Sequence, residues 1–199
     1  MIAPARSAFI RAATTDDATA MTELINFAGE GMPLYLWTGM AEDGQSPWQL
    51  GRERARRESG GFSYRNTLIL QKEGRTAGAL IGYPLAPEPQ PDSTADLPPM
   101  FVPLQELEDL AAGSWYVNVL AAYPEFRGMG IGTQLLGAAE REAARTGCNG
   151  LSIIVSDANT GARRLYERQG YVEEASRPMV KDGWQNDGDN WVLLLKRGG

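Results

Sequence analysis

Three glycines alternate with other residues in the segment 123–132, whose sequence is YPEFRGMGIG. Gly128, Gly130 and Gly132 can take φ values that other residues resist, and they leave backbone N–H groups uncovered. Because a helix is predicted to follow, these donors lie at a helix N-terminus, where unpaired N–H groups and the helix dipole favour an anion. Arg127 adds a positive charge beside them. The segment therefore predicts a cradle for a pyrophosphate, and a tight turn that binds nothing is the alternative.

The spacing of this loop does not fit two common nucleotide-binding motifs. A Walker loop requires a lysine and a serine or threonine after its glycine, but Thr133 and Gln134 follow Gly132. A dinucleotide-binding loop has the pattern Gly-x-Gly-x-x-Gly, whereas the third glycine here comes one residue early. Asp157, at the end of the next predicted strand, leaves a dinucleotide open as an alternative.

The elements that must position the loop are predicted from residue periodicity. Residues 115–122 are rich in aromatic and β-branched side chains and predict a buried strand. From 129 to 146 the apolar residues recur at helical spacing, and Gly147 is placed to end this helix. A second strand is predicted over 151–155.

This arrangement resembles the GNAT superfamily of acyl-CoA-dependent N-acyltransferases, whose coenzyme loop has the pattern Arg/Gln-x-x-Gly-x-Gly/Ala. The segment 159–171, NTGARRLYERQGY, is similar to a second motif of that family, Asn-x-x-Ala-x-x-Leu-Tyr-x-x-x-Gly-Phe/Tyr. The resemblance covers the C-terminal part of the chain, and the N-terminal half shares only the order of elements. It implies one α/β (α+β) domain over residues 1–199, with a mixed, mainly antiparallel sheet of six to seven strands. Helices flank this sheet, which is splayed at its central strand.

The resemblance also implies acetyl-CoA as co-substrate. The residues expected to bind it are Leu120, Ala121, Ala122, Arg127, Gly128, Met129, Gly130, Ile131, Gly132, Thr133, Asn159 and Arg163. Asn159 is predicted as a helix N-cap, as a partner of the pantetheine arm, or as both. Arg163 is expected within reach of a nucleotide phosphate.

Attack of an amine on a thioester makes two demands that these residues can meet. The carbonyl oxygen becomes negative and needs a fixed donor, for which the backbone N–H of Leu120 is the candidate. The leaving thiolate needs a proton, and the resemblance assigns a tyrosine at the position of Tyr166 as the general acid. The alternative is that Tyr166 only packs on a helix face with Ala162 and Leu165.

The base that deprotonates the amine is not evident, because the chain contains no histidine. Many relatives carry a glutamate on the central strand, where this chain offers only Tyr116 and Asn118. We therefore consider a water held by Asn118 or a carboxylate. The carboxylates considered are Glu30, Glu106, Asp187 and Asp189.

Composition limits the other functional classes. The net charge of −6 argues against broad binding to nucleic acid or an anionic membrane. Cys148, the single cysteine, is expected to be structural, and the lack of histidine argues against a metal site. No run of apolar residues is long enough for a membrane helix and no signal peptide is seen, so a cytoplasmic location is expected.

The remaining elements follow in order along the chain. We predict strands over 9–13, 62–70, 75–83, 172–177 and 191–195, and helices over 18–28, 49–58 and 104–111. Seven of the twelve prolines fall between residues 84 and 103, which predicts an insertion loop without regular structure that forms an active-site rim or a dimer contact. The aromatic stretch 34–48 is interpreted as helix packing, with a substrate wall as the alternative.

These inferences predict an N-acetyltransferase that moves an acetyl group from acetyl-CoA to a primary amine, on a small cationic molecule or a protein. A non-catalytic acyl-CoA-binding module and a nucleotide-dependent oxidoreductase are the alternatives. A homodimer is expected from the habit of the family alone.

Overall fold

The computed structural model describes residues 8–89 and 93–198. The chain divides into two units, of which the first comprises Met1–Gly82 and Val119–Ala138, and the second comprises Tyr83–Asn118 and Ala139–Gly199. Part of the proline-rich insertion, residues 90–92, lies outside the described residues.

Seven strands form one sheet in the order β1-β2-β3-β4-β5-β7-β6 within the described ranges. The strands are β1 Phe9–Ala12, β2 Thr67–Lys72, β3 Arg75–Pro84, β4 Trp115–Ala122, β5 Gly150–Ser156, β6 Val172–Pro178 and β7 Asn190–Arg197. The α-helices are α1 Ala18–Ala28, α2 Met32–Met40, α3 Pro47–Ala55, α4 Val102–Leu110, α5 Ile131–Thr146 and α6 Thr160–Arg168. The predicted mixed α/β fold with a mostly antiparallel sheet is confirmed.

In the first unit, β1 pairs antiparallel with β2, and β2 pairs antiparallel with β3. Glu73 and Gly74 join β2 to β3 with positive φ values of 55° and 79°, the signature of a tight hairpin turn. Buried side chains of the helices and strands form its core, including Met21, Leu24, Ile25, Ile69 and Ile81. Trp37 belongs to the same core and makes an edge contact with Trp48, so the aromatic stretch packs as interpreted.

In the second unit, β4 and β5 pair in parallel, while β5 with β7 and β6 with β7 pair antiparallel. The β4–β5 ladder joins Trp115–Val117 to Leu151–Ile153, although both strands continue beyond it. The ladder therefore ends partway along the central strand.

Two local predictions were wrong. The strand predicted to begin at residue 62 begins at Thr67, because Ser63 caps a 3₁₀ turn over Tyr64–Asn66. The proline-rich segment is not irregular at its end, since a 3₁₀ turn over Pro99–Phe101 leads into α4. Proline is tolerated in a first helical turn, where its missing N–H would be unpaired in any case.

Among the described residues, no helix has the length and apolar character needed to cross a lipid bilayer.

Candidate active site

The glycine-rich loop lies in the first unit, between β4 and α5. Gly128 and Gly130 have φ values of 73° and 77°, a left-handed conformation that glycine adopts without strain. A Cβ added at Gly128 would meet no atom within 4 Å. Gly132 is the second residue of α5, so two of the three glycines shape the turn and the third lies in the helix. Arg127, like the two turn glycines, is exposed.

Side chains from the β2–β3 hairpin hold the loop in place. The Arg75 guanidinium pairs with Glu125 at 2.5 Å and lies 5.2 Å from the centre of the buried Phe126 ring. The Lys72 ammonium lies 3.4 Å from the Met129 sulfur. The loop is therefore fixed by its flanks, while its backbone at residues 127–130 stays exposed.

The end of β4 that precedes the loop is closely packed. A Cβ on Gly78 of β3 would lie 2.6 Å from the Ala121 carbonyl oxygen and 2.9 Å from Cγ2 of Ile131. Leu120, Ala121 and Ala122 are half-buried, and they lie beyond the β4–β5 ladder. Thr133 is exposed, whereas the Ile131 side chain is buried and can offer a ligand only its backbone.

Asn159 and Arg163 lie in the second unit, at the start of α6. Asn159 caps the helix by accepting a hydrogen bond from the Ala162 N–H at 3.2 Å, as predicted. Arg163 forms an ion pair with Glu173 at 2.8 Å. Its charge is therefore already balanced, which weakens the expectation that it serves a nucleotide phosphate.

Tyr166 is the buried residue of α6, with 4% of its surface exposed. Its ring centre lies 5.8 Å from that of Tyr171. The Tyr171 hydroxyl is buried and has no hydrogen-bond partner within the described chain, and burial raises its pKa above the usual range. The burial of Tyr166 fits both interpretations, and its role as an acid stays a prediction.

The carboxylates considered as bases differ in their surroundings. Glu106 forms an ion pair with Arg177 at 2.6 Å. Asp187 and Asp189 are exposed in the loop between β6 and β7. Glu30 has a positive φ of 52° in the turn between α1 and α2.

A residue absent from that set, Glu108 on α4, has a carboxyl whose pKa is raised well above its usual value. Burial, and then the charge of Asp109, raise the pKa of Glu108 to about 7, against hydrogen bonding from the Tyr116 hydroxyl. The sequence signal was a charge on the apolar stripe of an amphipathic helix, since Glu108 follows Leu104 by four residues and precedes Ala111 by three.

The described ranges contain no group of three or more histidine, cysteine, aspartate or glutamate side chains arranged to hold a metal ion. The half-buried Cys148 lies 3.3 Å from the Thr146 hydroxyl.

Comparisons with known proteins show sequence similarity to acetyltransferases. The chain is 34% identical over 86 residues to an uncharacterized N-acetyltransferase of Methanocaldococcus jannaschii. The matched residues make up 43% of this chain and 53% of that protein. The chain spans about half the length of the curated relatives that it matches.

Two solved structures illustrate the similarity of fold. An N-acetyltransferase from Staphylococcus aureus is 19% identical, with a TM-score of 0.67 over 94% of this chain and 100% of that chain. A GNAT family acetyltransferase from Elizabethkingia anophelis, with acetyl-CoA bound, is 18% identical, with a TM-score of 0.50 over 66% of this chain and 75% of that chain.

The model of the acetyltransferase (GNAT) family matches residues 34–171, which include the glycine-rich loop, Asn159 and Tyr166. Since this match covers more than half of the chain, the protein belongs to the GNAT acetyltransferase family.

Proposed function

We propose that the protein transfers an acetyl group from acetyl-CoA to a primary amine, carried by a small cationic molecule or by a protein. The observation that carries this proposal is the loop at residues 127–130, whose backbone is exposed between two left-handed glycines at the start of a long helix. Such a loop can donate several N–H groups to a pyrophosphate, and membership of the family supports coenzyme A as the molecule that carries it.

The reaction is a direct transfer. The amine nitrogen attacks the thioester carbonyl, the carbonyl oxygen gains negative charge, and the C–S bond then breaks. We assign the backbone N–H of Leu120 to the oxyanion and the Tyr166 hydroxyl to protonation of the thiolate. A cysteine-like thiol has a pKa near ~8.5 and a tyrosine one near ~10, so this proton transfer is nearly balanced.

Two other functions are separable from this one. The burial of Tyr166 would also suit a non-catalytic acyl-CoA-binding module, which would be indifferent to loss of its hydroxyl. An oxidoreductase that binds a dinucleotide is disfavoured because β1, β2 and β3 pair antiparallel rather than as parallel βαβ units.

The remaining parts of the proposal depend on the sequence and the family. We propose a cytoplasmic location and no nucleic-acid or membrane partner, in keeping with the acidic net charge. A single-domain organisation and a homodimer are also proposed.

A thermal-shift titration with acetyl-CoA, CoA and NAD tests the coenzyme site. A ligand at 100 times its Kd should stabilise the fold by about 2.7 kcal/mol, so we expect both CoA species to raise Tm and NAD to leave it unchanged. Absence of a shift with either CoA species would contradict the proposed site.

Gly128→Ala and Gly60→Ala form a matched pair for this titration. Both glycines have positive φ values and open space where a Cβ would be, so each substitution should cost about 1–2 kcal/mol of backbone strain. Only Gly128→Ala should weaken CoA binding as well. Equal CoA affinity in the two variants would contradict the assignment of this loop to the coenzyme site.

Turnover is tested by release of free CoA thiol with a panel of amines. Spermidine, tyramine and short peptides with a free N-terminal alanine or serine represent the two classes of acceptor. We expect acetylation of at least one class, confirmed by mass spectrometry. Tight CoA binding without any transfer would favour the non-catalytic module.

A further inference from the structure

The end of the central strand turns one face toward the helices of the first unit. Val119 belongs to the buried core that includes Met21 and Leu24 of α1, and Ala121 and Tyr123 pack against that core. Tyr123 follows β4 directly and continues it in an extended conformation, with φ of −59° and ψ of 146°. The side chains of Val119, Ala121 and Tyr123 therefore lie on the α1 side of the strand.

The glycine-rich loop leads into α5 on the opposite face. In β3, Ala79 lies in the core shared with α1, so a Cβ on the neighbouring Gly78 would point to the other face. That Cβ would lie 2.9 Å from Cγ2 of Ile131, the first residue of α5. If the loop and α5 hold the coenzyme phosphates, an acceptor can approach the end of β4 from the face of Ala121 and Tyr123 without meeting them.

Glu23 of α1 brings a carboxylate to this second face. Its Oε2 atom accepts a hydrogen bond from the Tyr123 hydroxyl at 2.5 Å. Glu23 is half-buried, and it forms no other hydrogen bond and no ion pair within the residues that the structure describes. Burial, and then the hydrogen bond to Glu23, raise the pKa of Tyr123, so this hydroxyl stays protonated and donates to the carboxylate. The carboxylate is therefore held in place by a neutral group.

Other carboxylates of the first unit have cationic partners. Asp17 pairs with Arg11 at 2.7 Å, and Glu125 pairs with Arg75 at 2.5 Å. Their charges are balanced within the fold, whereas the charge of Glu23 is not balanced by any described residue. The Oε1 atom of Glu23 is thus available to a cation from outside the chain.

An exposed aromatic ring lies beside this carboxylate. Phe27 follows Glu23 by four residues on α1, so the two side chains are neighbours on the helix surface. The Phe27 and Tyr123 rings meet edge to face, with centres 6.0 Å apart and planes at 85°, and Phe27 is 40% exposed. A carboxylate next to aromatic rings suits an alkylammonium, because the charge is attracted by both and the rings cover the methylenes.

We propose that Glu23, with Phe27 and Tyr123, binds a second ammonium group of the acceptor, which makes the acceptor an aliphatic diamine or polyamine. This inference rests on the proposed acetyl transfer and chooses between the two classes of acceptor considered for it. The amine at one end of the acceptor is acetylated, and the ammonium at the other end pairs with Glu23.

The strand indicates how far apart the two nitrogen atoms are. An extended chain advances about 3.3 Å per residue, so Tyr123 lies roughly 10 Å along the backbone from Leu120, the proposed donor to the thioester oxygen. An extended 1,8-diaminooctane has a comparable length, and octylamine has the same chain with a single amine. These two compounds therefore differ only in the group that Glu23 is proposed to bind.

The test compares Glu23→Gln with Glu53→Gln, which removes the same charge from an exposed position on α3. Acetyl transfer to 1,8-diaminooctane and to octylamine is measured at pH 7. We expect Glu23→Gln to lower the ratio of kcat/KM for the diamine to that for octylamine by about 10- to 10²-fold, as loss of a charge-assisted hydrogen bond implies. Glu53→Gln should keep the wild-type ratio. An unchanged ratio in Glu23→Gln would overturn the proposal.

Tyr123→Phe tests the positioning of the carboxylate. The variant removes the hydroxyl that holds Glu23 and keeps the ring and the charge of Glu23. We expect KM for the diamine to rise several-fold with a much smaller change in kcat, because the ammonium site is loosened while the reacting groups are kept. Equal changes in KM for the diamine and for octylamine would exclude Tyr123 from the site.

Binding without turnover separates this proposal from the proposed function. With CoA in place of acetyl-CoA no transfer takes place, so calorimetric titration with each amine measures acceptor affinity alone. We expect the wild type to bind 1,8-diaminooctane more tightly than octylamine, and Glu23→Gln to lose this difference. Equal affinities in the wild type, or no binding of either amine, would overturn the ammonium site. Diamine binding that depends on Glu23, without acetyl transfer in the turnover assay, would support the site and contradict the proposed function.

Discussion

Two tyrosines in the second unit have similar burial and different expected roles. Tyr166 and Tyr171 lie with ring centres 5.8 Å apart, and both are almost fully buried. The difference between them lies in their hydroxyl groups, because that of Tyr171 has no hydrogen-bond partner in the described chain. The pair therefore allows the acid role proposed for Tyr166 to be tested against a neighbouring hydroxyl that has no partner in the described chain.

We expect Tyr166→Phe to lower kcat by about 10²-fold or more and to leave CoA affinity nearly intact, because the substitution removes the proton donor but keeps the ring. Steady-state kinetics and CoA titration measure the two effects separately.

Tyr171→Phe is the matched control. It should keep wild-type turnover and leave the free energy of unfolding unchanged or raise it by about 1 kcal/mol, because it removes a buried hydroxyl without a partner. Equal loss of kcat in both variants would mean that ring packing, not acid catalysis, explains Tyr166.

At the scale of elements, the approach of β3 to the end of β4 constrains one residue. Gly78→Ala would place a Cβ against the Ala121 carbonyl oxygen, a backbone atom that cannot move away as a flexible side chain could. We expect the substitution to cost about 1–3 kcal/mol of stability and to weaken acetyl-CoA binding, since it displaces the segment that precedes the loop. Urea denaturation and a CoA titration measure these effects.

Gly161→Ala serves as the comparison for an added methyl group. Gly161 lies in α6 with no atom within 4 Å of the added Cβ, so alanine should be neutral or stabilise the fold by up to about 1 kcal/mol. A similar loss of stability in both variants would indicate that the short distance from Gly78 to the Ala121 carbonyl does not explain the effect of Gly78→Ala.

The accuracy of the element predictions varied with how local their signals were. The central strand was predicted with its observed ends, and α5 within two residues, because aromatic content and helical periodicity are properties of the segment itself. The end of the proline-rich segment was missed because proline suits both a loop and a first helical turn, and sequence alone did not distinguish them.

The same distinction applies to the site. The glycine pattern and the Asn159 cap were predicted because each acts on its own neighbours. Glu108 was missed because burial is the main cause of its raised pKa, and burial depends on elements that lie elsewhere in the chain. A long-range environment of that kind has no local signature beyond a charge on an apolar stripe.

At the scale of the whole molecule, stability should depend on pH through opposing groups. Hydrogen bonding from Arg11 holds the pKa of Asp17 below its usual value, and Asp17 also accepts the Thr14 N–H. Burial tends to raise the pKa of Asp157, but hydrogen bonds from Asn190 and Asp189 lower it overall. The two aspartates add to the free energy of unfolding above pH ~4, and this contribution is lost on acidification. The contribution of Glu108 has the opposite dependence, because it is present at low pH and is lost between pH ~4.5 and 7.

We therefore expect maximum stability near pH 5, measured by urea denaturation from pH 3 to 9. Asp17→Asn should reduce the loss of stability below pH 5, because it removes one of the carboxyls whose pKa is lowered by the fold. The decrease in stability between pH 5 and 8 should remain. A wild-type stability that rises steadily from pH 5 to 8 would contradict the assignment of the raised carboxyl.

Met129 gives the loop a chemical sensitivity of another kind. Half of its surface is exposed, and its sulfur lies beside the Lys72 ammonium. Oxidation would turn the thioether into a polar sulfoxide that accepts a stronger hydrogen bond from Lys72. Mild peroxide should therefore weaken CoA binding in the wild type and spare Met129→Leu, while equal loss in both would assign the damage elsewhere. Binding of the coenzyme would then depend on the oxidative state of the surroundings, reversibly where a sulfoxide reductase is present.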